Sequence, residues 1–195
     1  GSVVFAGVDY HAILKAAEAE ADVVLWDGGN NDMPFFAPNL HVTVTDPLRP
    51  GHETSFYPGM ANLLMADVVV INKVDSAKPA DLDTVRASIA KWNPNAKLVE
   101  AESEITLDHA IELAGVRTLV VEDGPTLTHG GMPIGAGYVL AQRRGAQIVD
   151  PTPYAVGSIR GTYEKYPHCK GILPAMGYSD RQVQELAQTI AATPA

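Results

Sequence analysis

Cysteine is almost absent from the 195-residue sequence, which contains only Cys169. A single cysteine excludes an intrachain disulfide and is typical of proteins that work in a reducing compartment. There is no run of about 18 apolar residues that would predict a transmembrane helix. The chain also does not open with the charged-then-apolar pattern of a secretory leader. We therefore expect a cytoplasmic protein that has no membrane partner.

Basic residues are scarce relative to acidic ones. The 14 Lys and Arg residues face 23 Asp and Glu residues, which gives a net charge of −9 and a pI near 5.0. Such a balance argues against nucleic acid or an anionic membrane as a partner. The hydrophobic content of 46% is enough for a buried core in one domain or two small ones.

The sequence also lacks the phosphate-binding motif Gly-x-x-x-x-Gly-Lys-Ser/Thr. A second nucleotide motif is nevertheless present. Val68 to Ile71 form an apolar run that predicts a strand buried on both faces, and Asn72-Lys-Val-Asp75 follows it directly. In open α/β sheets, ligands bind at the carboxyl ends of the strands. There, Asp75 can accept hydrogen bonds from guanine while the Lys73 stem covers the base; the alternative is a polar loop in which Asn72 caps a turn.

A similar pattern occurs earlier in the chain. Residues 21–26 predict a buried strand that ends in Asp27-Gly28-Gly29. A carboxylate at this place is suited to Mg²⁺, and the glycines allow backbone N–H groups to approach a terminal phosphate. Asp-Gly-Gly is also an ordinary turn signal. Asn30, Asn31 and Asp32 either help to position the ion or form an Asn-rich turn.

Three further segments carry candidate site residues. Leu40 to Thr45 alternate as a strand and lead into a Pro-rich loop in which Arg49 and His52 either face an anion or are solvated. Lys97 to Ala101 predict a strand, after which the backbone of Ala101 could contact a guanine carbonyl. A long Gly-rich loop over 124–137 follows a predicted strand over 118–123, and such loops suit phosphate. Asp123 at the end of that strand and Thr126, Thr128 and His129 in the loop are candidates, as ligands or as loop hydrogen bonders.

The remaining predicted elements are mostly helices. Tyr10 to Ala21 predict a helix capped by Asp9, and Gly59 to Met65 predict a short helix. Asp81 is expected to cap a helix whose stripe of Leu82, Val85, Ile89 and Trp92 is buried. Residues 147–150 predict a strand, and residues 154–166 predict a helix. A loop is predicted over 171–178, and a last amphipathic helix is predicted over 180–190.

Together the motifs resemble the cyclic 2,3-diphosphoglycerate synthetase family, a GTPase-like group of P-loop proteins. The resemblance rests on five segments: Trp26–Asp32, Asp46–Glu53, Val70–Asp75, Val121–Gly130 and Asp150–Ser158. It implies an α/β fold with a mostly parallel sheet and helices on both faces, the three-layer P-loop NTPase sandwich. On this view the phosphate-binding loop precedes residue 1. Residues 1–115 are then the C-terminal part of a P-loop GTPase-like domain, and residues 116–195 continue it or form a segment with a substrate loop.

The resemblance also implies an activity. A member of this family is a ligase that uses ATP or GTP with Mg²⁺ to close 2,3-diphosphoglycerate into its cyclic phosphoanhydride. Asp27 is then the metal ligand, Gly28 or Gly29 contacts the γ-phosphate, and Asn72, Lys73, Asp75 and Ala101 hold the base. Asp27, Asp123 and His129 are the catalytic candidates. Thr126, Thr128, Arg49 and His52 are expected to face a small phosphorylated acid, with Arg160 and Lys165 as further cations.

Two other interpretations stay open at this point. One is a GTPase switch or metallochaperone, for which His168 beside Cys169 is a weak metal signal. The other is that the 195 residues alone are catalytically inert because they lack the phosphate loop. A homodimer is compatible with every one of these interpretations.

Overall fold

The computed structural model describes residues 1–29, 32–109, 111–129 and 131–195. The chain divides into two compact units, Gly1–Glu104 (unit 1) and Ile105–Ala195 (unit 2). Nowhere in these described ranges is there a helix whose length and hydropathy would let it span a bilayer. The assignment of residues 1–115 and 116–195 to parts of a P-loop domain stays a prediction.

Unit 1 contains a three-stranded parallel sheet. Its elements in chain order are α1 (Tyr10–Glu20), β1 (Val42–Thr45), α2 (His52–Ser55), α3 (Gly59–Met65), β2 (Val68–Ile71), α4 (Pro79–Trp92) and β3 (Lys97–Glu100). The strand order is β1-β2-β3, with Val42 opposite Val68 and Val68 opposite Lys97. Parallel pairing places all three carboxyl ends at one edge, and the polar residues after each strand therefore lie there.

The two faces of this sheet differ in burial. Val69 and Ile71 are fully buried on the face that packs against α3 and α4, with Leu63, Val85 and Ile89 of those helices. Residues paired across a parallel sheet share a face. The register therefore places five valines together on the other face: Val42, Val44, Val68, Val70 and Val99. Val42 is 48% exposed, Val44 is 56% exposed and Val99 is 37% exposed. We call this set the valine face.

Unit 2 contains two short parallel strand pairs. Its elements are β4 (Arg117–Thr118), β5 (Val121–Asp123), α5 (Gly124–Thr128), α6 (Ala136–Arg143), β6 (Gln147–Ile148), α7 (Gly157–Lys165), β7 (Leu173–Ala175) and α8 (Asp180–Ala192). β4 pairs with β6, and β5 pairs with β7. The core beneath them includes Val120, Leu127, Ile159, Tyr163 and Leu173. Burial, and secondly the nearby charge of Asp150, raise the pKa of Tyr163, whose hydroxyl donates to Ile172 O at 2.6 Å.

The α/β class with parallel strands and helices is confirmed, in the form of small sheets. The P-loop NTPase identity stays a prediction. The helix predicted over 59–65 is confirmed, as are the α1 helix with its Asp9 cap and the last helix from Asp180. The strand over 68–71 is confirmed, but its predicted burial on both faces is wrong, because only Val69 and Ile71 are buried. Ser179 caps that last helix through a reciprocal capping box with Gln182.

Several local predictions are wrong. Residues 22–26 are irregular rather than a buried strand, with Val23 73% and Leu25 88% exposed. An apolar run forms a strand only where a neighbouring strand satisfies its N–H and C=O groups, and no described strand pairs with this one. Trp92 is 40% exposed, because the apolar stripe of α4 turns away from the core at its last residue. Pro79 opens α4, so Asp81 lies inside its first turn and is not the cap.

Two predicted loops contain regular structure. Asp123 and Pro125 start the short helix α5, where the carboxylate of Asp123 accepts from Thr126 N at 3.1 Å. Gly124 is required there because a Cβ would lie 2.6 Å from Ala175 O. The loop predicted over 171–178 contains β7, which the sequence did not indicate because proline is unfavourable within a strand. Proline is tolerated in a strand of a two-stranded sheet, since one edge of that strand makes no ladder bonds.

Two glutamates of unit 2 bind helix N-termini. Glu122 Oε1 accepts from Tyr138 N at 2.8 Å in the first turn of α6. Glu185 Oε2 accepts from Ser158 N at 2.8 Å and from the Ser158 hydroxyl at the start of α7. The Ser158 hydroxyl, the Arg181 guanidinium and the Ser158 amide lower the pKa of Glu185 to about 2. Both helix starts are therefore neutralised by the protein's own carboxylates.

We expect Glu185→Gln to destabilise the protein near neutral pH, because the amide loses the charge that binds Ser158 and Arg181. A pKa of about 2, against an ordinary value of 4.5, means that this stabilisation is present above pH 4.5 and is lost as the pH falls towards 2. Urea unfolding midpoints of wild type and variant should thus differ at pH 7 and converge towards pH 2. Glu164→Gln, an exposed change on α7, is the control. Equal midpoints at pH 7, or a gap that widens in acid, would contradict the assignment.

Candidate functional site

The segment Asn72–Asp75 forms a turn at the carboxyl edge of the unit 1 sheet. Asn72 N donates to Thr45 O at 3.1 Å on the β1 side. On the β3 side, Ala101 N donates to Ile71 O at 2.9 Å and Val74 N donates to Ala101 O at 3.2 Å. The turn is thus attached to the loops that follow both neighbouring strands. Asn72, Lys73, Asp75 and Ala101, all predicted to hold a nucleotide base, are brought to one edge. We call this edge the base rim.

Lys73 has an unusual backbone and a fixed side chain. Its φ of +57° lies in the left-handed region, which a non-glycine residue adopts only where its surroundings hold it there. Its Nζ donates to Asp46 Oδ2 at 3.0 Å. The same oxygen accepts from Arg49 Nη2 at 3.0 Å, and Asp46 Oδ1 accepts from Leu48 N at 3.0 Å. A carboxylate from the loop after β1 therefore orients the lysine of the rim.

Asp46 is ionised despite being partly buried. Burial raises the pKa of its carboxyl, but the hydrogen bonds from Lys73 and Leu48 and the charges of Lys73 and Arg49 outweigh that effect and hold the pKa below its ordinary value. Sequence reasoning missed Asp46, because Asp-Pro-Leu-Arg has the pattern of a turn. The available signal was a carboxylate directly after a parallel strand, the same position that singled out Asp27.

Asp75 lies on the exposed side of the rim. Its Oδ1 accepts from Ser103 N at 3.0 Å and its Oδ2 from Ser76 Oγ at 3.0 Å. These bonds set the orientation of the carboxylate relative to the loop after β3. Ala101 was predicted to donate its N–H to a base, but this N–H already donates to Ile71 O. The adjacent Glu102 N–H, which the sequence did not single out, has no acceptor among the described residues.

Asp27, Gly28 and Gly29 lie in the irregular segment that follows α1. The carboxylate of Asp27 is exposed. The Trp26 ring covers Gly28 so closely that a Cβ there would lie 2.3 Å from it. Gly29 N donates to Asp32 Oδ2 at 2.9 Å. None of the described contacts joins these residues to Asp75. Asn30 and Asn31 lie outside the described residues.

Asn62 joins this segment to α3, since its Nδ2 donates to Asp32 O at 2.9 Å. In the described ranges, no group of three or more His, Cys, Asp or Glu side chains is arranged to hold a metal ion. Mg²⁺ commonly takes one or two carboxylates together with water and nucleotide phosphates. A single exposed carboxylate such as Asp27 is compatible with that mode.

The cations predicted to face a phosphorylated substrate have partners in the chain. Arg49 is bonded to Asp46, and its buried Nε has no acceptor within the described ranges. The His52 ring packs edge-on against Phe56 with centroids 5.1 Å apart. Arg160 donates to Ala155 O through Nε at 3.2 Å and Nη2 at 3.0 Å. The Nζ of Lys165 lies 5.1 Å from the centroid of the Tyr166 ring.

The four candidate residues of unit 2 lie together on α5 and its two ends. Asp123 Oδ2 also accepts from Thr126 Oγ1 at 2.6 Å. Thr128 Oγ1 donates to Gly124 O at 2.9 Å and lies 3.1 Å from His129 Nδ1. The exposed His129 ring lies 6.1 Å from Tyr166, centroid to centroid. The structure therefore gathers Asp123, Thr126, Thr128 and His129 on one helical turn, with Asp123 and Thr126 bonded to each other.

The comparisons with known proteins give one similar protein of high identity. The chain is 60% identical over 191 residues to a protein named arginine synthetase ArcE from Thermococcus kodakarensis. The match covers 97% of this chain and 43% of that protein, so the chain spans less than half the length of its curated relative. No family model matches the sequence. No solved structure matches it.

The tie between Asp46 and Lys73 can be tested by titrating the carboxyl carbon of Asp46 by NMR. We expect its midpoint to lie below the ordinary aspartate value, and to rise in Lys73→Gln because a hydrogen bond and a positive charge are lost. Lys78→Gln, at an exposed position before α4, should leave the midpoint unchanged. A midpoint that does not respond to Lys73→Gln would show that the two side chains are not paired in solution.

Proposed function

We propose that these residues are part of a nucleotide-dependent synthetase that forms arginine. The observation that carries the proposal is the 60% identity, over 97% of the chain, to a protein named arginine synthetase. At this identity the same chemistry is the simplest expectation for the protein to which these residues belong. A synthetase couples the joining of two molecules to hydrolysis of a nucleoside triphosphate, so the proposal requires a nucleotide site and an amino-acid site.

Unit 1 is our candidate for the nucleotide site, with guanine as the base. The Asp75 carboxylate, oriented by Ser103 N and Ser76 Oγ, would accept from the ring N–H and the amine of guanine. The Lys73 stem, held by Asp46, would cover the base. The N–H of Glu102 would donate to the guanine carbonyl in place of Ala101. Asn72 would support the turn that presents these groups.

Mg²⁺ would be held by Asp27 and would neutralise charge on the nucleotide phosphates. Gly28 and Gly29 adjoin Asp27 and would approach the γ-phosphate, with Gly29 giving up its bond to Asp32. We assign catalytic roles on unit 2 to Asp123 and His129, and contacts with the reacting acid to Thr126 and Thr128. The assignment rests on their being gathered at α5.

The charge of the chain favours a cationic ligand such as arginine, the product of the proposed reaction, over a doubly phosphorylated acid. The net charge is −9. Arg49 and Arg160, proposed as phosphate ligands, are bonded to Asp46 and Ala155 O, and Glu122 and Glu185 occupy the N-termini of α6 and α7. A doubly phosphorylated acid would have to displace these internal partners, whereas a guanidinium or ammonium group would not.

Closure of 2,3-diphosphoglycerate is our second candidate, and the segment Val121–Gly130 is the observation that favours it. Both candidate reactions would share two steps. A phosphoryl group from the nucleotide would first be transferred to an oxygen of the substrate, and a second group would then attack the activated centre and displace orthophosphate. In that case Arg49, His52, Thr126 and Thr128 would bind the acid. A GTPase switch or metallochaperone would instead hydrolyse nucleotide without forming a product. Homodimer formation and a cytoplasmic location stay predictions.

The choice of base is tested with Asp75→Asn in the protein at its full natural length. We expect wild type to bind GTP more tightly than ATP by calorimetry, and the variant to lose about 10-fold to 100-fold in GTP affinity because charge-assisted bonds are lost. Xanthine carries a carbonyl where guanine carries an amine, so the variant should bind xanthosine triphosphate better than wild type does. Asp108→Asn, an exposed change in unit 2, should have no effect. A clear preference of wild type for ATP would rule out guanine selection by Asp75.

The reaction is tested in reverse, because this direction needs only the product in the relative's name. Full-length protein is incubated with Mg²⁺, arginine, and either nucleoside diphosphate with orthophosphate or monophosphate with pyrophosphate. We expect arginine-dependent formation of nucleoside triphosphate, followed by ³¹P NMR. A parallel reaction contains 2,3-diphosphoglycerate and a nucleoside triphosphate in place of arginine and the nucleotide products. Formation of the cyclic phosphoanhydride there, without any arginine-dependent signal, would decide for the second candidate.

His129→Ala belongs to the same experiment. Loss of the imidazole should lower turnover by about 10²-fold or more if it transfers a proton to or from the reacting acid. His41→Ala, a change in unit 1 outside the base rim, serves as the comparison.

A further inference from the structure

Unit 2 contains a cavity of about 210 Å³ at the point where β6 ends and β7 begins. Its walls present polar and apolar surface in about equal parts, and the apolar part includes Ile134 from the loop before α6, Ile148 from the end of β6 and Ile172 just before β7. The Tyr138 ring of α6 adds an aromatic surface. Pockets for drug-sized ligands have volumes of roughly 300–1,000 Å³, so this one suits a smaller molecule. It is separate from the α5 residues described above.

Two side chains of opposite charge, Asp150 and Lys170, also line the cavity. Asp150 Oδ1 accepts from Thr152 N at 2.8 Å. Within the described ranges, Asp150 Oδ2 has no donor and Lys170 Nζ has neither an acceptor nor an ion pair. The two are therefore not paired with each other, although both face the same space. Both residues are exposed, so their charges are solvated in the free protein and accessible to a ligand. Two separated charges of opposite sign with apolar side chains beside them are complementary to a zwitterion that has an apolar stem.

Backbone groups in the lining of the cavity have a defined conformation and defined partners. Gly171 has a φ of +91°, a conformation that favours glycine, and a Cβ at this position would meet no atom within 4 Å. Behind the cavity wall, the Tyr163 hydroxyl donates to Ile172 O. The walls are thus tied to the core of unit 2.

We infer that this cavity binds a free amino acid that has an aliphatic stem and a cationic end, the class to which arginine belongs. Asp150 would accept from the guanidinium, for which a carboxylate offers two parallel acceptors. Lys170 would bind the α-carboxylate, and the three isoleucines would cover the methylene stem. The choice of arginine among such amino acids rests on the proposed function; the presence of a zwitterion site does not.

The test measures binding of arginine to the full-length protein by calorimetry, without nucleotide. Asp150→Asn keeps the acceptor for Thr152 but loses the charge, and Lys170→Gln loses the cation. We expect each to weaken arginine binding about tenfold or more, as the loss of one charge-assisted contact implies. Agmatine, which lacks the α-carboxylate, should respond to Asp150→Asn and not to Lys170→Gln. Ile134→Phe, which fills the cavity, should weaken both ligands.

Matched controls are Asp108→Asn and Lys15→Gln, exposed changes away from the cavity, which should leave arginine affinity within about threefold. Urea unfolding midpoints establish that each variant is folded, and Lys170→Gln decides alone if Asp150→Asn is destabilised. Arginine affinity that is unchanged in Lys170→Gln and in Ile134→Phe overturns the inference. So does an absence of arginine binding to wild type.

The reverse reaction separates this inference from the proposed function. Arginine binding that responds to the variants, without arginine-dependent triphosphate formation, supports the cavity and refutes the synthetase. Triphosphate formation whose KM for arginine is the same in all cavity variants refutes the cavity and leaves the synthetase standing.

Discussion

The base rim depends on the ionised carboxylate of Asp46. It is partly buried, and burial alone would favour the neutral acid, yet three donors converge on it from Lys73, Arg49 and Leu48. Hydrogen bonds to charged groups contribute about 1.5–3 kcal/mol each, enough to keep such a group ionised. The bond to Lys73 stabilises the left-handed backbone of that residue and joins the loop after β1 to the turn after β2. The orientation of the rim is therefore set by one side chain that need not touch a ligand.

Local pattern was sufficient to predict β2 and the polar turn behind it. A run of β-branched residues with a helix on each side has few alternatives, and parallel strands deliver their carboxyl ends to one edge. The same reasoning failed for residues 22–26, because a strand also requires a partner that the run itself does not encode. The position of Asp46 directly after a strand was a local signal, but its pairing with Lys73 was not predictable, because it joins residues that are 27 positions apart. Side-chain pairs of this kind follow from the fold and leave no local signature.

In unit 2 the predicted site residues lie together, but the local structure around them differs from the predicted loop. The Asp123-Gly-Pro segment contains a helix cap and a proline at the first helical position, so α5 was predictable where a loop was expected. The role of Glu122 was not predictable, because its partner Tyr138 lies on another helix. Glu122 and Glu185 show that acidic residues here neutralise helix starts. An acidic chain can in this way bind its own amides and leave little positive surface for phosphates.

The exposed valine face affects how the protein self-associates in solution. Parallel sheets are usually covered on both sides, and each Å² of apolar area left in water costs about 25 cal/mol. The repulsion between chains of charge −9 opposes contact between two such faces in dilute buffer. Added salt screens that repulsion while leaving the hydrophobic attraction in place. Preparations of these 195 residues should therefore stay dispersed at low ionic strength and self-associate as salt is raised, the opposite of a protein whose surface contacts are ionic.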